Sequence, residues 1–93
     1  MVLKNKILSK ETFAIYGMGN VGGSIAAVWL RAGAKVIGVD ISNILLDNIK
    51  NGKSHQKEPF LSETFSHAIK KNSLILSSDG IDASKRSSIK IIV

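Results

Sequence analysis

The stretch Phe13-Ala14-Ile15-Tyr16-Gly17-Met18-Gly19-Asn20-Val21-Gly22 runs from an apolar segment straight into three glycines at GxGxxG spacing. Further on, a second apolar run, Val36-Ile37-Gly38-Val39, closes on Asp40. Glycines at this spacing are common. A strand before them, a helix after them and an acid ending the next strand about 20 residues on make a far more specific pattern, that of a βαβ unit built to hold a dinucleotide.

Outward from that stretch, helical and extended periods alternate. Thr12 to Tyr16 is mostly apolar with β-branched and aromatic members, as a strand covered on both faces requires. Val21, Ile25, Val28, Trp29 and Ala32 recur at helical intervals and predict one buried face of a helix from about 20 to 32, stopped by Gly33. The small residues Gly22, Gly23, Ser24, Ala26 and Ala27 near its start allow close approach to a sheet. Lys35 to Val39 makes the next strand, and Ser42 can cap a helix carrying Ile44, Leu45, Leu46 and Ile49 until Asn51-Gly52 ends it.

The second part repeats the alternation. Lys53 to Lys57 reads as a polar loop, and Glu58-Pro59 opens a helix with Phe60, Leu61, Phe65, Ala68 and Ile69 as its apolar members. Asn72-Ser73 breaks it, and Leu74-Ile75-Leu76 is a short extended segment. Ser77-Ser78-Asp79-Gly80 is a turn before a short helical stretch near 83–87, and residues 89–93 form a third parallel strand. The expected fold is α/β, a Rossmann-like parallel sheet with helices on both faces. Because it stops on an apolar strand, the chain is expected to hold the first half of such a domain, at 11–93, after an N-terminal extension at 1–10.

Bulk properties narrow the function classes. A length of 93 residues allows one small domain, and 44% hydrophobic against 22% charged residues is ordinary for a folded soluble chain. The net charge of +6 comes from scattered bases rather than a block, and one Trp, one Tyr and three Phe offer little for base stacking, so a solvated basic surface is favoured over nucleic-acid binding. Absence of cysteine excludes disulfides and thiolate chemistry from this segment. With neither a signal peptide nor an apolar run of about 20 residues, the expectation is a cytoplasmic chain that does not span a membrane.

In the glycine loop, Gly17 permits the tight turn, Gly19 lets backbone approach a pyrophosphate, and Gly22 lets the helix pack on the strands. The helix starting near Asn20 directs unpaired N–H groups and its positive dipole end at phosphate, so Met18, Asn20 and Val21 contribute chiefly backbone. Asp40 can accept from both ribose hydroxyls and would repel a 2′-phosphate, and the following Ile41-Ser42-Asn43-Ile44-Leu45 has no base to receive one, so NAD is preferred over NADP. The expected cofactor-binding set is Gly17, Met18, Gly19, Asn20, Val21, Gly22, Asp40 and Ile41. An ordinary glycine turn with Asp40 as a helix-capping acid is the competing reading. His55 and His67 lack metal-ligand spacing, Glu58 suits a helix start, and Ser77-Ser78-Asp79 has no histidine partner, so no metal or catalytic residue is assigned.

The order of motifs resembles the N-terminal NAD-binding domain of the UDP-glucose/GDP-mannose dehydrogenase family over roughly 13–93. The resemblance rests on the glycine loop, Val36-Ile37-Gly38-Val39-Asp40-Ile41, Ile49-Lys50-Asn51-Gly52-Lys53-Ser54-His55, Glu58-Pro59-Phe60-Leu61 and Ser77-Ser78-Asp79. His55 is more similar to the UDP-N-acetylmannosamine branch, where the UDP-glucose branch commonly has proline. Family members usually have an aromatic residue in place of Asn20 and a small or acidic one in place of Phe60. The resemblance implies an enzyme that oxidises a UDP-sugar C6 alcohol to the uronic acid in two hydride transfers through a thiol-linked intermediate, consuming two NAD. Its catalytic cysteine, lysine and asparagine, its substrate contacts and a homodimer interface would come from parts of the protein outside this sequence, and polysaccharide biosynthesis is the implied setting. A non-catalytic nucleotide-sensing module, such as the regulatory domains of potassium channels, and a 3-hydroxyacid or prephenate dehydrogenase are the alternatives.

Overall fold

The computed structural model describes residues 11–53 and 58–93. The expected extension at 1–10, residues 54–57 of the expected polar loop, and His55 with them lie outside the described residues. The two apolar runs become β1 (Thr12–Tyr16) and β2 (Lys35–Val39), joined by α1 (Asn20–Arg31). There follow α2 (Asn43–Lys50), α3 (Pro59–Lys70), β3 (Leu74–Ser77), α4 (Gly80–Lys85) and β4 (Ile89–Ile92).

The described strands form one sheet in the order β3-β2-β1-β4, parallel throughout. The chain steps outward from β1 to β3, then crosses back to lay β4 along the other side of β1. This reversal, at the carboxyl ends of β1 and β4, is where open α/β sheets receive ligands. The strand expected third at 89–93 is fourth in chain order. Leu74 to Ser77 is a full sheet member, paired along β2 from Val36–Leu74 to Val39–Ser77.

Alternate residues of β1 serve opposite cores, as the period of two demands. Phe13 and Ile15 join Met18, Ala26, Ala27, Val36, Ile49, Leu61, Phe65 and Leu74 under α1, α2 and α3. Ala14 joins Ile37, Val39 and Ala83 on the other face, with Tyr16 packed against them under α4. Helices therefore cover both faces, unequally.

Three helices end in the same way. Gly33, Gly52 and Asn72 take positive φ just past α1, α2 and α3. In each case the following amide reaches back into the last turn: Ala34 N to Trp29 O, Lys53 N to Asn48 O and Ser73 N to Ala68 O. This satisfies carbonyls that would otherwise lack partners, and it explains why glycine or asparagine stands at these positions.

The buried face of α1 is made by the small residues expected to approach the sheet, with Ala32 buried just past its end, and two of the expected apolar members leave it. Gly22, Gly23, Ala26 and Ala27 are buried, whereas Val21 is 62% and Val28 60% exposed. Helix and sheet approach so closely that only small side chains fit between them. Ile25 and Trp29 lie half-buried at the rim of this contact, with Trp29 stacked on Phe13 at a centroid distance of 4.4 Å. Phe60, an expected apolar member of α3, is exposed, and the Arg31 guanidinium lies over its ring at 3.8 Å. Helix α4 begins earlier than expected, at Gly80, because the Asp79 side chain accepts from the Asp82 amide at 2.9 Å and starts the helix.

Candidate functional site

The glycine loop leaves β1 at the point of strand reversal. Gly17 adopts φ +107°, a region that side chains rarely occupy, while its amide donates to Val39 O at 2.7 Å and ties the turn to β2. A Cβ on Gly22 would stand 1.6 Å from the Gly17 carbonyl oxygen, so the helix can start only over a glycine. Gly19 is different. A Cβ there would meet nothing within 4 Å. Among the described residues nothing requires the small residue, and the space beside it is open.

Helix α1 begins at Gly19 with no side-chain cap and no acid in its first turn, while Arg31 sits in its last. The first-turn amides of a helix have no acceptor within the helix itself, and aligned peptide dipoles concentrate positive charge there. Asn20 and Val21 are exposed at this end. The site thus offers amide donors and positive potential without a lysine or arginine side chain.

Asp40 ends β2 beside the loop. Its Oδ2 accepts from the Met18 amide at 2.9 Å and its Oδ1 from the Ser42 amide at 2.9 Å. Ser42 in turn caps α2 by accepting from Leu45 N at 3.1 Å. One carboxylate therefore joins the glycine loop to the start of α2. Each carboxylate oxygen can accept a second hydrogen bond, so the group still has acceptor capacity toward the cleft.

That cleft, about 200 Å³, is lined by Tyr16, Gly17, Val39, Asp40 and Ile41. Ile41 is 94% exposed, an apolar side chain standing free next to an acid. A comparable depression of about 210 Å³ opens at the other end of the sheet, between Thr12, Lys35, Asn72 and Arg86. It lies at the amino ends of the strands, away from the glycine loop and from the point of reversal.

The eight residues picked from sequence thus converge on one edge, though with different aspects. Gly17, Gly19, Gly22, Asp40 and Ile41 frame the loop and cleft, and Asn20 and Val21 open α1. Met18 turns inward: its side chain is fully buried and its amide is engaged by Asp40. Tyr16, which the sequence reading passed over, lines the cleft and donates its hydroxyl to Gly80 O at 2.8 Å, tying this edge to α4. None of the remaining candidates lines this cleft. Asp79 caps α4, Ser77 Oγ accepts from the Asp79 amide at 3.0 Å, and Glu58 and His67 are exposed. Among the described residues, no group of three or more His, Cys, Asp or Glu could hold a metal, and no helix is long and apolar enough to cross a membrane.

The model of the UDP-glucose/GDP-mannose dehydrogenase family, NAD binding domain, matches residues 11–93. The chain is 35% identical over 79 residues to the GDP-mannose 6-dehydrogenase of Pseudomonas syringae pv. syringae, covering 85% of this chain and 18% of that protein. To the UDP-N-acetyl-D-mannosamine dehydrogenase of Escherichia coli K12 it is 32% identical over 76 residues, 82% of this chain and 18% of the other. Among solved structures, a ternary complex of GDP-mannose dehydrogenase from Pseudomonas aeruginosa superposes with a TM-score of 0.80 at 32% identity, over 87% of this chain and 19% of that one. The chain spans about a fifth of the length of the relatives it matches.

Proposed function

The chain belongs to the UDP-glucose/GDP-mannose dehydrogenase family, as its NAD-binding domain, and from that premise we propose that it is the cofactor-binding portion of an enzyme oxidising the C6 alcohol of a nucleotide sugar to the uronic acid. The observation that carries the reading is the placement of Asp40 between the glycine loop and the cleft, next to the bare start of α1.

The geometry supports a role for each residue. The first-turn amides at Asn20, Val21 and Gly22 hold the pyrophosphate, with the dipole of α1 favouring its charge. Gly19, open on its outer side, lets the phosphates reach those amides without meeting a Cβ. Asp40 accepts from the ribose hydroxyls with the lone pairs left by Met18 and Ser42, and Ile41 covers one side of the adenine. Gly17 and Met18 shape the loop from below. When bound, NAD supplies the hydride acceptor for the sugar carbon. These residues hold it in place and supply no proton transfer of their own. The substrate side and the reacting groups belong to the rest of the enzyme, which acts in the cytoplasm as a homodimer, without nucleic acid or membrane partners. On this reading residues 11–93 are the part of the Rossmann domain that carries the glycine loop, and 1–10 are an extension to it.

Two observations bear on the sugar. His55 favours UDP-N-acetylmannosamine among the UDP-sugars, with polysaccharide biosynthesis as its setting, whereas 35% identity to a GDP-mannose enzyme against 32% to a UDP-N-acetylmannosamine enzyme leans the other way. Turnover of both nucleotide sugars by the enzyme carrying this domain decides between them. The cofactor is tested by calorimetry with NAD and NADP. NAD is expected to bind at least about tenfold more tightly, since a 2′-phosphate would face the Asp40 carboxylate. Absence of NAD binding, or equal affinity for the two, contradicts the assignment.

A further inference from the structure

A contact beneath the glycine loop lies outside the dinucleotide fingerprint. Gly38 stands in the middle of β2, where glycine weakens a strand and commonly marks a close approach of something else. Here that something is Met18. A Cβ on Gly38 would lie 2.8 Å from the Met18 Sδ, 2.9 Å from its Cε and 3.0 Å from its Cγ. Methionine is adaptable, but Met18 is 0% exposed and packed in the core under α1, so making way for a Cβ means repacking its side chain among buried neighbours. The residue is also held by its backbone, through the amide that Asp40 accepts at 2.9 Å.

Strand β2 and the residue that follows it therefore hold Met18 twice: Gly38 leaves room for its side chain, and the Asp40 carboxylate accepts from its amide. Met18 lies between the two glycines whose freedom would otherwise leave the loop loose. We propose that Gly38 is a positioning residue for dinucleotide binding: the missing Cβ seats Met18, and the seated Met18 fixes the loop so that the first amides of α1 face the pyrophosphate. Asp40 shares this task beyond any bond to ribose. The inference rests on the reading of this edge as the NAD site.

The test compares wild type, Gly38→Ala, Met18→Ala and the double variant, measuring the Kd of NAD and of adenosine together with thermal stability. Gly38→Ala raises the Kd of NAD by at least about tenfold, the scale on which a sub-ångström to ångström misplacement acts. Adenosine, which needs the cleft but not the phosphate amides, keeps its Kd within about threefold. In the double variant the two losses do not multiply, because a Cβ at position 38 meets no Met side chain, and the Kd of NAD matches that of Met18→Ala.

Wild-type NAD affinity in Gly38→Ala, equal losses for NAD and adenosine, or multiplying losses in the double variant would each overturn the proposal. Should Gly38→Ala fail to fold, Met18→Ala decides: it creates no clash, and unchanged NAD affinity in that variant contradicts the seating role. A wild-type protein that binds no NAD overturns the underlying site reading instead.

Discussion

Two turns in this molecule make the same step from a strand to a helix, after β1 and after β3, and they treat the helix start in opposite ways. At α4 the Asp79 carboxylate accepts from the Asp82 amide, Asp82 adds a further acid in the first turn, and Ser77 braces the turn from below. At α1 no side chain caps the helix and no acid stands in its first turn. The turn after β3 closes itself with side chains, while among the described residues the turn after β1 leaves the first amides of its helix and the helix dipole for something else. Glycine at 19 serves this openness, because among the described residues a Cβ there would meet nothing within 4 Å.

The comparison breaks most severely at Gly22. Replacing it with alanine forces a Cβ to within 1.6 Å of the Gly17 carbonyl, and a loss of about 3 kcal/mol or more in denaturant stability is expected, on the scale of gross overpacking. Ordinary stability in Gly22→Ala would mean that α1 does not need its close seat on the loop. Next comes Asp40→Ala, which removes the acceptor of two amides and of the ribose hydroxyls. It should weaken NAD binding by about 2 kcal/mol and narrow the preference over NADP. Calorimetry showing both affinities unchanged would remove Asp40 from the site. Asp79→Ala has the smallest effect. It should cost about 1 kcal/mol of stability, as loss of a helix cap does, and leave the Kd of NAD untouched. A fall in NAD affinity there would show that the two turns are not separable.

Much of this arrangement was readable from residues alone, for physical reasons. Interior parallel strands are apolar runs with abrupt ends, so Thr12 to Tyr16 and Lys35 to Val39 emerged with their observed bounds. Gly33, Asn51-Gly52 and Asn72 announced the helix ends because positive φ selects few residue types. Val21 and Val28 fall off the buried face of α1 because periodicity weighs large apolar side chains, whereas the contact with the sheet is made by the small residues that allow close approach, Gly22, Gly23, Ala26 and Ala27. The roles of Gly38, Met18 and Tyr16 depend on partners distant in sequence, and only the fold brings them together. Asp40 stood out as an acid at a strand end, yet its grip on the Met18 amide could not be read from spacing.

The openness of α1 is tested most directly by giving it the device that α4 already has. Gly19 has φ −70° with extended ψ, so aspartate can replace it without a left-handed backbone, and its Cβ meets none of the described residues within 4 Å. In Gly19→Asp the fold is expected to persist with unchanged or slightly raised thermal stability. The Kd of NAD should rise by about 100-fold, since the carboxylate takes the amides and opposes the phosphate charge. A Gly19→Asp protein that binds NAD as tightly as wild type would contradict the claim that the start of α1 is the seat of the pyrophosphate.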